Sequence, residues 1–308
     1  MHKGVPWSDK HRKNLAKIDG KTKLVGLLAT PIGHSLSPQM HNLGYTLKGL
    51  NYTYLAFEVG NETLKEAVEG LKAIGAAGFN VSMPNKIEII KYLDELDDSA
   101  KYAGASNTVV NRDGKLIGYN TDGLGYVKNL NEHGVELKGQ KVTLVGSGGA
   151  ATIMAIQLAQ LGVREISIFA RNDPYFYQAI QNANYINHEL KAFEVKANIF
   201  PLEDKKTFRK EVAESAVLAN GTSLGMKPFD HLSIVDDMLD VLRKDLVVTD
   251  VVYNPKKTKL LAQAEEAGAI PISGLGMMLW QGALGFKLFT GEDMPIEEIK
   301  KIMFGENV

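Results

Sequence analysis

Short apolar runs alternate with amphipathic stretches along most of the chain. Residues 24–28 form the first run, followed by a polar loop over 29–38 and a helical pattern over 39–47. Residues 52–57 alternate as a strand does, and in 61–74 the apolar positions Leu64, Ala67, Val68 and Leu71 fall on one helical face. Residues 78–82 predict the next strand and 86–93 the next helix. The pieces 107–110 and 115–119 are joined by 111–114, where Asp113 and Gly114 mark a hairpin tip. Further strands are expected at 141–145, 165–169, 193–199, 216–220, 246–252 and 269–271, with helices between them. After Gly274 the pattern is helical over 277–289 and again over 295–303. Such alternation predicts an α/β fold of two domains, with parallel sheets and right-handed crossovers in both halves. No flexible linker separates the halves, so a cleft between closely coupled domains is the expected site.

The run at 141–145 enters Gly146, Ser147, Gly148, Gly149, Ala150 and Ala151, then continues as an apolar helical segment. A strand, a glycine-rich turn and a helix are the parts of a Rossmann-type dinucleotide-binding βαβ unit. A phosphate reaches the backbone only where no Cβ intervenes, and the N–H groups of the helix's first turn favour its charge. Ala151 stands where the third glycine of that fingerprint often sits, a variation the fingerprint allows. The second strand at 165–169, at βαβ distance, strengthens the reading.

Composition narrows the choices. At 308 residues, with 44% hydrophobic and 23% charged positions, the chain can bury a good core without staples. A net charge of −1 gives no electrostatic case for nucleic acid or an acidic membrane surface. The absence of cysteine excludes disulfides, thiolate metal sites and thiol catalysis, and fits the cytoplasm as the expected location. The most apolar stretch, 275–289, is interrupted by Gln281 and Lys287, so no membrane span is expected. Residues 1–23 are basic without the apolar core of a signal peptide, and read as a solvated tail or surface helix. The histidines are scattered, so no metal is expected. His34, beside a candidate loop, reads as a structural hydrogen-bonding residue.

Several loops hold more polar groups than packing requires. Ser35 reads as a ligand, whereas Ser37, before Pro38, fits either a helix N-cap or a ligand. Over 80–86 a strand end, a proline and Lys86 place one ammonium at the carboxyl edge of a sheet, where α/β proteins bind ligands. Residues 104–108 and 118–123, with Asn107, Thr121 and Asp122, add donors and acceptors among glycines. Asp122 alone could cap the helix that follows it. The stretches 220–226, 253–255 and 274–281 form the last cluster.

Taken in order, Ser-Leu-Ser-Pro, Asn-Val-Ser-Met-Pro-Asn-Lys, Gly-Ala-Ser-Asn-Thr, Gly-Tyr-Asn-Thr-Asp-Gly, Gly-Ser-Gly-Gly-Ala, Asn-Gly-Thr-Ser and Gly-Met-x-x-x-Gln resemble the shikimate dehydrogenases, and within them the quinate/shikimate dehydrogenase branch. The resemblance runs from Leu24 to the C-terminus. It implies a substrate-binding domain over 1–120, a Rossmann NAD(P)-binding domain over 121–274, and C-terminal helices over 275–308 returning to the substrate domain. It implies reversible hydride transfer between NAD(P) and the ring C3 hydroxyl of quinate or shikimate, in aromatic amino acid biosynthesis. Ser35 and Ser37 would bind the ring carboxylate, and Ser82, Asn107 and Asp122 the ring hydroxyls. Lys86 and Asp122 would be the catalytic pair, with Thr121, Tyr253 and Gln281 completing the pocket. Thr222, Gly276 and Met277 would join Gly146 to Ala151 around the cofactor. Ser82 stands where threonine is usual, and the lost methyl leaves room for the extra hydroxyl of quinate.

Lys86 has two competing roles, proton acceptor or fixed cation stabilising an alkoxide. Cofactor choice turns on Arg171 and Asp173. Asp173 would repel a 2′-phosphate and accept hydrogen bonds from a free ribose, while Arg171 could stack on adenine or tolerate a phosphate. NAD is therefore expected as the preferred cofactor and NADP as a weaker one, unless Asp173 merely caps the next helix. Rival readings are an NADP-dependent biosynthetic shikimate dehydrogenase and a catalytically silent binding module. Retention of both Lys86 and Asp122 speaks against silence. A homodimer is left open.

Overall fold

The computed structural model describes residues 18–33, 35–173 and 176–305; His34 and the basic tail as far as residue 17 lie outside the described residues. The chain divides into two units, Met1–Thr121 with Gly282–Val308, and Asp122–Gln281.

In the first unit β1 (Lys23–Ala29) leads through α1 (Ser37–Lys48) to β2 (Tyr52–Glu58), and through α2 (Leu64–Ala73) to β3 (Gly78–Val81). β1 pairs in parallel with both β2 and β3. There follow a 3-10 turn (Glu88–Tyr92), β4 (Glu95–Leu96), α3 (Asp98–Ala103), β5 (Thr108–Arg112) and β6 (Lys115–Tyr119). The sheet order is β2-β1-β3-β5-β6-β4. The expectation of a parallel sheet in this half is corrected: β5 is antiparallel to both β3 and β6. A parallel partner needs a crossover that carries the chain back along the sheet. The chain between β3 and β5 turns instead through the 3-10 segment, β4 and α3, and re-enters at the edge it left. The hairpin at 111–114 forms as expected, with Asp113 and Gly114 both at positive φ.

Two helix expectations also shift. Residues 86–93 form a turn and a short 3-10 segment, so Lys86 does not sit in the first turn of an α-helix. Its carbonyl is taken by the Ser106 N–H at 2.8 Å, and the next turn closes by Ile90 N–H to Ile87, three residues back. α1 starts at Ser37 and not at residue 39. Its cap residue is Leu36, so Ser37 is not the N-cap.

One face of this sheet packs Leu28, Phe79, Ile89, Val109 and Leu116 into an apolar cluster. An aromatic group comprises Tyr45 stacked with Phe286 at 5.0 Å and His41 stacked with Tyr54 at 4.3 Å. Burial lowers the His41 pKa to about 3, so that ring stays neutral.

The second unit opens with α4 (Asp122–Glu132) and runs through β7 (Lys141–Val145), α5 (Gly149–Gln160), β8 (Glu165–Ala170), α6 (Phe176–His188) and β9 (Lys196–Pro201). It continues with α7 (Lys205–Ala213), β10 (Val217–Asn220), β11 (Val247–Asp250), α8 (Lys259–Glu266) and β12 (Ile270–Ile272). The strand expected over 193–199 starts later, because Phe193 ends a 3-10 turn and Glu194 has φ 56°. All its strands are parallel, in the order β12-β11-β10-β7-β8-β9, the doubly wound Rossmann arrangement. The unit boundary falls inside α9 (Gly274–Thr290), between Gln281 and Gly282, and α10 (Ile296–Phe304) belongs to the first unit.

Where β7 begins, Lys141 is almost fully buried and pairs with Glu211 and Glu214, both at 2.7 Å, and with Glu165 at 3.5 Å. Ser167 donates to Glu211 at 2.6 Å. Among the described residues, no helix is long and apolar enough to cross a membrane.

Candidate active site

The topology of the first unit gathers four loops at one sheet edge. β1 and β3 are parallel, so residues 30–33 and 35–37, and residues 82–87, follow at their carboxyl ends. β5 runs the opposite way, so Asn107 enters there, and β6 returns to release Thr121 at the same edge. Backbone bonds tie the loops together: Thr30 N–H to Met83 at 3.1 Å, Val81 N–H to Asn107 at 2.9 Å, and Asn107 N–H to Tyr119 at 3.1 Å. The edge thus carries Ser35, Ser37, Ser82, Lys86, Asn107 and Thr121. Ser82 and Lys86 are half-buried, whereas Asn107 and Thr121 are buried.

Each loop has an anchor below it. Glu58, ending β2, accepts the Thr30 hydroxyl and the Ile32 N–H, which holds the loop carrying both serines. Ser35 Oγ accepts the Ser37 N–H at 3.3 Å where α1 begins. Burial raises the Tyr54 phenol well above its ordinary range, and the adjoining Ser37 hydroxyl opposes that shift. The fully buried Asn85 donates to the Val59 carbonyl at 2.8 Å, fixing the turn that leads to Lys86. Asn107 Oδ1 accepts the Thr121 N–H at 2.9 Å, and Asn107 Nδ2 donates to Thr121 Oγ1 at 3.0 Å.

In the second unit the glycine-rich turn stands at the switch point between β7 and β10, where ligands bind in open α/β sheets. Gly146 has φ 122°, a conformation side chains rarely adopt. Gly148 caps α5, and a Cβ built on Gly148 or Gly149 would meet no other atom within 4 Å. The chain's own packing therefore does not require glycine there. Open space over the first turn of a helix is what a pyrophosphate needs, so these residues fit a dinucleotide. Ser147 is buried and Ala150 exposed. Ala151 is buried against β10: a Cβ on Gly221 would come within 2.7 Å of the Ala151 Cβ. Its place is in helix-to-sheet packing.

After β8, Arg171 Nη2 lies 3.2 Å from Asp173 Oδ2. Glu203, near the end of β9, accepts the Asn172 N–H at 3.2 Å. Asp173 thus lies beside the guanidinium, and Glu203 brings a second carboxylate to the backbone of the same loop. Beyond β10, Asn220 Oδ1 accepts both the Thr222 N–H (3.0 Å) and hydroxyl (2.7 Å). Asn220 Nδ2 donates to Asp250 Oδ1 at 3.0 Å; the same oxygen accepts the Val252 N–H at 2.9 Å, and Asp250 Oδ2 the Thr258 hydroxyl at 2.6 Å. Burial raises the Asp250 pKa against the pull of those donors. The knot fixes the Thr222 loop against the segment bearing Tyr253. Met226, Lys227, Asp230, Asn254 and Pro255 line a cavity of about 340 Å³ beside it.

Asp122 is the first residue of α4, where the helix dipole favours a carboxylate. α4 and α9 cross closely, because a Cβ on Gly125 would collide with Gln281 and one on Gly276 with Asn129. Gly276 thus serves helix packing, Met277 is half-buried beside it, and Gln281 Nε2 donates to the Met278 carbonyl at 2.9 Å. Glu58, Glu203 and Asp250 were not singled out from the sequence, and Asn85 stood in the 80–86 stretch without a role of its own. A polar residue ending or following an apolar run was the available signal for each.

Residues 27–109 match the family model for the shikimate dehydrogenase substrate binding domain, and residues 274–304 that for the shikimate 5′-dehydrogenase C-terminal domain. A Listeria monocytogenes protein named shikimate dehydrogenase (NADP(+)) is 50% identical over 288 residues, 94% of this chain and 98% of the relative. A crystal structure of shikimate 5-dehydrogenase from Listeria monocytogenes, in complex with shikimate and NAD, aligns with a TM-score of 0.90 at 50% identity, covering 94% of this chain and 98% of that one. A quinate dehydrogenase from Corynebacterium glutamicum, in complex with NAD, aligns with a TM-score of 0.82 at 26% identity, over 92% and 99%.

Proposed function

The chain belongs to the shikimate dehydrogenase family of oxidoreductases acting on CH–OH groups, and from that we propose that it transfers hydride reversibly between the C3 hydroxyl of shikimate and a nicotinamide dinucleotide. The observation that carries this reading is the single sheet edge on which Ser35, Ser37, Ser82, Lys86, Asn107 and Thr121 converge. Ser35 and Ser37 take the ring carboxylate, while Ser82, Asn107 and Asp122 take the ring hydroxyls. Thr121, Tyr253 and Gln281 complete the pocket. Lys86 and Asp122 are the catalytic residues. Lys86 serves the reacting hydroxyl as proton acceptor or as the cation beside the developing alkoxide. Bound nicotinamide supplies the hydride acceptor. Gly146, Ser147, Gly148, Gly149 and Ala150 would hold its pyrophosphate, with Thr222 beside Gly146, and the backbone near Met277 would face its reactive ring.

Two finer assignments go with this. NAD is preferred over NADP, because Asp173 occupies Arg171 and Glu203 adds a second carboxylate to the loop. The Listeria monocytogenes relative carries NADP(+) in its name, and the shikimate 5-dehydrogenase structure from that organism holds NAD. Quinate is a second substrate, since Ser82 lacks the methyl that would crowd its extra hydroxyl. Absorbance of reduced nicotinamide, measured with shikimate or quinate and with each cofactor in turn, tests all three statements. No turnover of shikimate with either cofactor would refute the reading. Turnover with NADP more efficient than with NAD, or none with quinate, would refute the corresponding refinement.

A further inference from the structure

Asn80 lies in the middle of β3 between Phe79 and Val81 and is only 7% exposed. A buried amide carries two donors and an acceptor that must all be paired. Tyr54 donates its hydroxyl to Asn80 Oδ1 at 2.8 Å. Asn80 Nδ2 donates to the Asn107 carbonyl at 3.0 Å and to Thr108 Oγ1 at 2.9 Å. Thr108 then donates to Asn107 Oδ1 at 3.0 Å, the oxygen that also accepts the Thr121 N–H. A backbone carbonyl only accepts and a backbone N–H only donates. The first fixes which way the Asn80 amide faces, and the second does the same for Asn107. Donation therefore runs from Tyr54 through Asn80 and Thr108 to Asn107, whose Nδ2 donates to Thr121 Oγ1 at 3.0 Å while its Oδ1 also faces that hydroxyl at 3.2 Å.

We propose that Tyr54, Asn80 and Thr108 are positioning residues for substrate: acting through Asn107, they determine from the core which hydrogen-bonding face Asn107 and Thr121 present to the ring hydroxyls. Tyr54 and Thr108 are fully buried and act only through their neighbours. The inference rests on the reading of Asn107 as a substrate-binding residue.

The test is a double-mutant cycle between positions 108 and 107. Thr108→Val keeps the branched shape and removes the hydroxyl, and it is expected to raise the KM for shikimate about tenfold. The KM for the nicotinamide cofactor should stay within about twofold and kcat within about threefold, as for an effect on substrate binding alone. In an Asn107→Ala background the same substitution should move the shikimate KM by less than about twofold, because its route of action is gone. Thr108→Ser restores the hydroxyl and should return KM to near the parent value. An equal effect of Thr108→Val in both backgrounds, or no rescue by serine, would overturn the relay in favour of simple packing. Should Thr108→Val not fold, Tyr54→Phe removes the outermost donor and is carried through the same cycle, with the same outcomes deciding. If Asn107→Ala alone leaves the shikimate KM unchanged, the site reading fails and the relay with it. If Asn107→Ala raises KM and Thr108→Val does not, the relay alone fails.

Discussion

Replacing Asp173 by asparagine should shift cofactor preference toward NADP. The Arg171 guanidinium is 71% exposed and sits 3.2 Å from the Asp173 carboxylate, so the pair operates in a mostly aqueous dielectric. At such a separation in water, unit charges attract by roughly 1 kcal/mol, which is what a 2′-phosphate must overcome to engage the arginine. A carboxylate about 7 Å from a doubly charged phosphate adds repulsion of roughly 1 kcal/mol, which physiological salt cuts by about half. Together these come to about 1–2 kcal/mol, so Asp173→Asn should raise kcat/KM for NADP relative to NAD by about 5–30-fold. Initial rates of nicotinamide reduction at saturating shikimate measure the ratio. The change should lie in the KM for NADP and shrink at about 1 M salt, where screening acts over roughly 3 Å. Glu203→Gln should act in the same direction but less, since that carboxylate is held by a backbone N–H. A ratio that stays constant or moves toward NAD would show that this loop does not read the 2′ position.

Three further outcomes are expected. Lys86→Ala should lower kcat by about 10²–10⁴-fold with a smaller effect on shikimate KM, and near-normal turnover would remove Lys86 from the mechanism. Ser82→Thr should lower kcat/KM for quinate relative to shikimate by a factor equivalent to about 1–3 kcal/mol; an unchanged ratio would show that the methyl meets no substrate hydroxyl. Lys141→Met strands the buried Glu211 carboxylate and should destabilise the protein by about 3–5 kcal/mol at neutral pH, read from urea unfolding midpoints. Burial would raise the Glu211 pKa, but hydrogen bonds from Lys141 and Ser167 outweigh it and hold the group below its ordinary range. Its stabilising contribution is thus present above the unfolded value of roughly 4.3 and lost as pH falls through the folded one. The gap between wild type and variant should accordingly narrow below about pH 5, and a gap that widens there would contradict the assignment.

The strands of the second unit are legible because buried parallel strands read as continuous apolar runs closed by glycine or polar residues, as 141–145 and 165–169 do. The direction of β5 is not legible in the same way. Its first three residues are all buried, and nothing in the run itself fixes the sense in which it joins β3. Residues 86–93 fit helical spacing, but in the fold a distant N–H, that of Ser106, bonds the Lys86 carbonyl and Ile90 closes on Ile87 instead, a long-range contact that spacing does not reveal. Candidate site residues stood out where donors and acceptors cluster at strand ends among glycines. Asn80 and Thr108 stood in the candidate stretches without a role of their own, and Tyr54 lay inside a strand, so only their mutual pairing gives them meaning. Glu203 stands close to the 171–173 loop only because β8 and β9 are neighbours.

The contact between Ala151 and Gly221 has a consequence for how nucleotide-binding loops are recognised. The methyl group that Ala151 carries in place of the more usual glycine has room here because the facing strand end gives up its own, more than sixty residues downstream. Clearance is thus shared by two distant positions, either of which can carry the small substituent while both cannot. Gly221→Ala should be harmful alone and relieved by Ala151→Gly in the same molecule, so a pattern search confined to one turn overlooks half of the constraint.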